Sequence, residues 1–180
     1  MRIAIDVRSL MEGRHSGVEE YTTHIIHALL RIAPQHEYIL FYNSAHAVQL
    51  PPFAQPVTSV GLRYPNKVFK AAQWASRWPR WDTLISADCF FVPSLSLMPL
   101  QPQTPLVTTV HDLSFERFPE FFSLRRRLWH ALMRPRALLQ ASHHLIAVSD
   151  STATDIHKLY DIPLKKISVV HSGISLPAVR

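Results

Sequence analysis

The sequence predicts a doubly wound, Rossmann-like α/β domain: a mostly parallel sheet with helices on both faces. Three observations carry this. Short strand-like runs alternate with segments of helical period, the order expected of parallel strands joined by crossover helices. The first of these runs is packed with apolar residues rather than cleanly alternating, as in a strand covered on both sides. A length of 180 residues with 47% hydrophobic side chains suits one domain with a substantial core and argues against disorder.

The elements follow in order. Arg2 to Asp6 reads as the first, central strand, and Val7 to His15 as a loop. Ser16-Gly17-Val18-Glu19 matches a capping box, Ser as cap and Glu three residues on. Val18, Tyr21, Ile25, Ile26, Leu29 and Ile32 then recur at helical spacing, and Pro34 ends that helix. Tyr38 to Tyr42 and Val57 to Leu62 read as the second and third strands, and Asn66 to Trp78 as a helix stopped before Pro79. Cys89 to Val92 is a short buried strand, Pro93 to Pro105 a loop, and Leu106 to Val110 the next strand. Leu124 to Gln140 reads as a helix or helix pair broken at Pro135. Leu145 to Val148 is a strand, Ser149 caps a helix from Ser151 to Tyr160, and Ile167 to Val170 is the last strand.

Cys89 stands alone, so no internal disulfide forms, and its apolar neighbours mark it as a small buried hydrophobe in a reducing compartment. The chain opens on a strand rather than a leader, and no apolar run approaches the ~20 residues of a membrane span. The net charge of +6 is local: between Glu120 and Asp150 there is no acid, while Arg125, Arg126, Arg127, Arg134 and Arg136 fall there. The bland reading, and the favoured one, is a solvated basic helix whose leucines face the protein's own core. The sharper one is a patch for anionic lipid headgroups or a phosphorylated acceptor. Nucleic acid is not expected, since no zinc or helix-turn-helix signature and no interleaved aromatic pattern is present.

In open α/β sheets, ligands bind outside the carboxyl ends of the strands. Four polar clusters are assigned to that edge: Arg8 to Gly17, His111-Asp112-Leu113-Ser114, Ser149-Asp150 and His171-Ser172-Gly173. Ser16-Gly17 opens a helix whose free amides favour a phosphate, or is a plain capping box. His111 can donate to a sugar hydroxyl or phosphate oxygen, or is satisfied by local backbone; Asp112 caps the next segment or holds the imidazole. No dinucleotide fingerprint or P-loop occurs, and the histidines have no metal-ligand spacing.

The chain resembles the N-terminal domain of the GT-B glycosyltransferases, specifically the family 4 group. The matching pieces run along the chain: Arg2-Ile-Ala-Ile-Asp-Val-Arg8; Ser16-Gly-Val-Glu-Glu-Tyr21; Thr109-Val-His-Asp-Leu-Ser-Phe115 with Arg117-Phe-Pro-Glu-Phe121; Ala147-Val-Ser-Asp-Ser-Thr152; and Lys165 to Ile174. The resemblance implies a retaining transferase that moves a sugar from a nucleotide-sugar (UDP- or GDP-linked) to a glycan or glycolipid acceptor, with no cofactor and no essential metal. It puts Ser16 and Gly17 near the donor phosphates, with Asp112 and Ser149 as further substrate contacts, and His111 near the transferred sugar. Some family members meet membranes through basic patches on this domain, which here points to Arg125, Arg126, Arg127 and Arg134. The family's E-x7-E donor domain has no counterpart in the sequence. The expectation is therefore an acceptor-side domain over 1–174, the start of a linker over 175–180, and a C-terminal domain supplied in cis or trans, without which the chain is inactive. The alternative is a non-catalytic module binding an anionic glycolipid, a membrane surface or a partner domain. The expected location is cytoplasmic, with peripheral contact at the inner membrane surface.

Overall fold

The computed structural model describes residues 1–11 and 16–173. Among them, seven strands form one sheet: β1 (Arg2–Asp6), β2 (Glu37–Asn43), β3 (Thr58–Leu62), β4 (Cys89–Val92), β5 (Leu106–Val110), β6 (His144–Ala147) and β7 (Ile167–Val169). Their spatial order is β3-β2-β1-β4-β5-β6-β7, and every neighbouring pair is parallel. The chain winds outward from β1 to β3, then returns to β4 on the other side of β1. The topological switch point, where open sheets bind ligands, therefore lies at the carboxyl ends of β1 and β4.

Alternate residues of each central strand feed opposite faces. On one face, Ile5, Leu40 and Phe91 pack with Val7, Tyr38, Ile26 and Leu30. The last two come from α1 (Gly17–Ile32), whose buried Thr22, Ile26 and Leu30 recur four apart. On the other face, Ala4, Ile39, Phe41, Phe90 and Val92 meet Phe69 of α2 (Asn66–Ser76), Trp81 of α3 (Trp81–Leu84) and Leu138. Trp81 is wholly buried, with the Phe41 ring 4.5 Å and the Phe69 ring 5.9 Å from it. A second cluster on this side joins Val110, Leu145 and Ala147 to Leu139 of α6 (Pro135–Ala141) and to Ala153, Ile156 and Tyr160 of α7 (Asp150–Tyr160).

Several sequence expectations are corrected. A 3-10 turn occupies Arg8–Met11 inside the expected loop, whose remainder, including His15, lies outside the described residues, as do Ile174 and the expected linker. One-turn helices that carry no periodic signal appear at α3 and at α4 (Ser114–Arg117). Cys89 is half-buried rather than buried, because it opens β4 at the amino edge; burial and the Asp88 charge still push its thiol pKa up. The Leu124 to Gln140 segment is a helix pair, α5 (Leu124–Leu132) and α6, with Arg134 in the left-handed region (φ 49°) at the corner. Only α6 turns its leucines to the core. In α5, Leu124, Leu128 and Leu132 are 79%, 63% and 43% exposed, and Trp129 is 48% exposed. The reading of these leucines as core-facing is overturned for α5, because the residue that docks the helix is His130, stacked 4.1 Å on Phe115 and edge-on to Phe122.

Candidate functional site at the carboxyl edge

The fold brings the described residues of the four predicted clusters to one sheet edge. His111 follows β5 directly, half-buried. Its Nε2 lies 2.8 Å from the carbonyl oxygen of Pro93, which follows β4. A carbonyl can only accept, so Nε2 carries the proton and Nδ1 of the neutral ring presents a lone pair. Tyr21 of α1 meets the ring edge-on at 4.8 Å, and its hydroxyl pairs with Thr109 Oγ1 at 3.2 Å. Burial raises the Tyr21 pKa, outweighing the lowering effect of the Thr109 bond, so the phenol keeps its proton. The backbone carbonyl of His111 accepts from Thr152 Oγ1 at 3.3 Å. The segment after β4 and helix α1 thus hold the imidazole, and α7 holds its backbone. The expectation that His111 donates to a sugar hydroxyl or phosphate oxygen changes accordingly: its Nε2–H is engaged by Pro93, and Nδ1, with no hydrogen-bond partner among the described residues, can accept.

Asp112 does not hold the imidazole. Its Oδ1 accepts from the amide of Ser114 at 2.9 Å and from the Ser114 hydroxyl, turning the chain into α4. Ser149 caps α7: its Oγ accepts from the amide of Thr152 at 3.1 Å. Ser16 forms the full capping box with Glu19, the Ser16 amide donating to Glu19 Oε2 at 2.9 Å. Gly17 is open: a Cβ built there meets nothing within 4 Å. Among the described residues no packing demands glycine there. His171 is exposed, 4.0 Å from Asp150 at the start of α7.

Sequence reasoning named Arg8 only as part of a cluster, and missed its role. Its guanidinium donates from Nε and Nη2 to Asp6 at 2.7–3.1 Å, from Nη1 to Gln73 Oε1 at 3.1 Å, and from Nη2 to the carbonyl of Leu97 at 2.8 Å. Asp6 is buried and Arg8 largely so, the side chains 4% and 14% exposed. The available signal was a carboxylate and a guanidinium two residues apart at the end of a strand, hence on one side of it. A second polar recess lies at the ends of β2 and β3, lined by Tyr42, Ser44, His46 and Arg63. There a Cβ at Gly61 would stand 2.7 Å from Tyr42 Cζ, so glycine lets the ring lie across β3. Among the described residues no three His, Cys, Asp or Glu side chains come together as a metal-ion set. No described helix is long and apolar enough to cross a membrane.

The basic residues predicted as a patch are split. Arg125, Arg126 and Arg127 ride on α5, while Arg134 packs its guanidinium 5.0 Å over the Trp74 ring of α2.

Residues 15–176 match the sequence profile of Glycosyltransferase Family 4. Among solved structures, the chain is similar to a lipopolysaccharide outer core galactosyltransferase, WaaB, in its apo form, with a TM-score of 0.55 at 15% identity. That superposition covers 99% of this chain and 48% of the other, so the chain spans about half the length of the structure it matches. No curated protein matches it.

Proposed function

Because the chain belongs to glycosyltransferase family 4 and has the Rossmann-like fold of its N-terminal GT-B domain, we propose that it forms the acceptor-side half of a retaining transferase. The enzyme moves a sugar from a UDP- or GDP-sugar to a glycan or glycolipid acceptor. Residues 1–174 form this domain, 175–180 begin a linker, and a C-terminal domain, in cis or trans, completes the donor site.

The observation that carries this reading is convergence. The α1 N-terminus at Gly17, the Nδ1 of His111, which has no hydrogen-bond partner among the described residues, and the α7 N-terminus behind Ser149 lie along one sheet edge. The work of this half is orientation and electrostatics. His111 Nδ1 accepts a hydrogen bond from a hydroxyl of the transferred sugar. Helix-terminal amides near Ser16 and Gly17 face the donor phosphates. Arg8, the described guanidinium between β1 and α1, is occupied by Asp6, Gln73 and Leu97, so it does not neutralise those phosphates. On this reading the other domain supplies the charge that meets them, and this half alone is inactive. Asp112 and Ser149 act as supports, each holding the start of a helix beside the site. The recess lined by Tyr42, Ser44, His46 and Arg63 is the acceptor side.

The test is calorimetric titration of UDP- and GDP-sugars into this chain and into one extended through the coding sequence after Arg180. Tight binding by the extended chain, weakened in His111→Ala, supports the reading. Failure of both chains to bind any nucleotide-sugar overturns it and leaves the binding-module alternative.

A second reading is favoured by α5. Leu124, Leu128 and Leu132 recur four apart and share one side of the helix. His130, which docks the helix, is two positions on from Leu128, about 200° round. The leucine stripe therefore faces outward, with Arg125 and Arg127 on its two flanks. This is the arrangement of a helix lying in the plane of an anionic membrane interface. On this reading the domain meets a membrane peripherally through the leucine stripe with Arg125 and Arg127, while Arg126 lies on the His130 side and Arg134 sits over Trp74.

A further inference from the structure

We propose that Arg8 is a positioning residue for His111, acting through the strap that runs from Pro93 to Met98. The substrate role of His111 is taken from the reading above; the mechanical link is independent of it.

The strap leaves β4 at buried Pro93, whose ring fixes φ. The direction of the Pro93 carbonyl is then set by the one remaining soft angle, ψ, and so by the path of the residues that follow. That carbonyl receives the His111 Nε2 proton. Four residues on, the Leu97 carbonyl receives Arg8 Nη2 at 2.8 Å, and next to it Met98 is buried in the core. Leu95, midway, is half-buried and packs against both core clusters of that face, which holds the strap's apolar side. The polar anchor between the two carbonyls and the rest of the fold is thus the guanidinium.

Arg8 suits this task because it is itself over-determined. Four of its five N–H donors are engaged, on groups from β1, α2 and the strap. Its face lies 5.9 Å from the ring centroid of buried Trp81. A planar fork can serve a carboxylate, an amide oxygen and a backbone carbonyl at once; a lysine ammonium on a flexible stem does not hold that geometry. A guanidinium with this set of partners fixes the strap, the strap fixes the Pro93 carbonyl, and the carbonyl keeps the proton on Nε2, so that Nδ1 remains the acceptor.

The experiment is NMR on this chain, following the His111 Nε2–H proton in nitrogen-15-labelled protein at neutral pH, without donor or acceptor. In the wild type this proton is observable and protected from solvent by the Pro93 carbonyl. In Arg8→Met its exchange speeds up by roughly three- to tenfold, the worth of one ordinary hydrogen bond, while β5 and α7 amides keep their shifts. Arg8→Met leaves Asp6 buried without its partner, so Asp6→Asn/Arg8→Met serves as the second variant, with the same loss expected. An unchanged Nε2–H shift and exchange rate in both variants overturns the proposal. The outcome is separable from the functional reading. If His111→Ala leaves transfer unaffected in the extended enzyme, the role of His111 in catalysis fails while the Arg8 link stands or falls on the exchange rates alone.

Discussion

Replacing Leu124 and Leu128 together by serine tests the outward face of α5 most directly. The two side chains are 79% and 63% exposed, so neither contributes much to the core, and the fold should survive the change. Fully burying a leucine is worth about 1.5–3 kcal/mol. Scaled by the exposed fractions, the pair has about 2–4 kcal/mol still to gain from an apolar medium. At the headgroup boundary roughly half of that is recovered, about 1–2 kcal/mol, or a loss of some 5- to 30-fold in partitioning for the double variant. Arg125 and Arg127, which flank the stripe, add about 1 kcal/mol each near an anionic surface, and this part fades with salt. The assay is co-sedimentation with phosphatidylglycerol-containing vesicles, set against pure phosphatidylcholine vesicles. The wild type should sediment with the anionic vesicles and be released by salt. Leu124→Ser/Leu128→Ser should bind weakly under both conditions, with unchanged circular dichroism. Equal sedimentation of wild type and variant, or none by either, refutes the membrane reading of this helix.

Arg8→Met leaves a carboxylate that is 4% exposed without its partner and should cost about 3–5 kcal/mol in urea unfolding. Asp6→Asn/Arg8→Met should cost clearly less than the sum of its singles, since neither charge is then left buried alone. Ser149→Ala should lower stability by about 1 kcal/mol through loss of the α7 cap, measured as a shift in the urea midpoint at constant slope. Docking of α5 should weaken in acid. The pKa of His130 is lowered chiefly by burial against its aromatic neighbours, with the Arg126 charge adding and the Asp112 and Glu116 charges opposing. Above its ordinary value of 6.5 the ring is neutral whether docked or free; below that value the free ring takes up a proton that the docked one resists. The protection of the α5 amides from hydrogen exchange, referred to the intrinsic rate at each pH, should therefore fall as pH drops below 6.5, and the fall should vanish in His130→Phe.

Much of the fold was legible because its signals are local. β4 and β5 begin and end where the apolar runs do, and Pro135 divides the two helices it was expected to divide. The capping box at Ser16 forms as written. The helices at α3 and α4 were invisible because single turns have no period to detect. Trp81 owes its burial to Phe41 and Phe69, which are forty and twelve residues away in the chain. At the site, the carboxyl-edge placement of His111, Ser149 and Ser16 follows from strand ends that sequence could mark. The local roles were legible too: Ser16 and Ser149 cap as expected, and Asp112 turns to Ser114 two residues on, one of the two roles open to it. The partner of the His111 proton was not, because Pro93 lies eighteen residues away, a distance no local pattern encodes.

The division is clearest in α5. Composition and spacing alone determined that Leu124 to Leu132 is an amphipathic helix carrying three consecutive arginines and no acid, since amphipathicity is a property of the repeat. Which side of it meets the protein was decided only by tertiary structure. A stripe of leucines and one histidine compete for the inside, and burial ordinarily favours the leucines. Here Phe115 and Phe122 offer flat faces at the one position where an imidazole can stack, and the helix docks by His130 and turns its leucines out. That choice rests on residues eight and fifteen positions away, brought together by the turn through α4, and it converts an ordinary core helix into an exposed apolar surface.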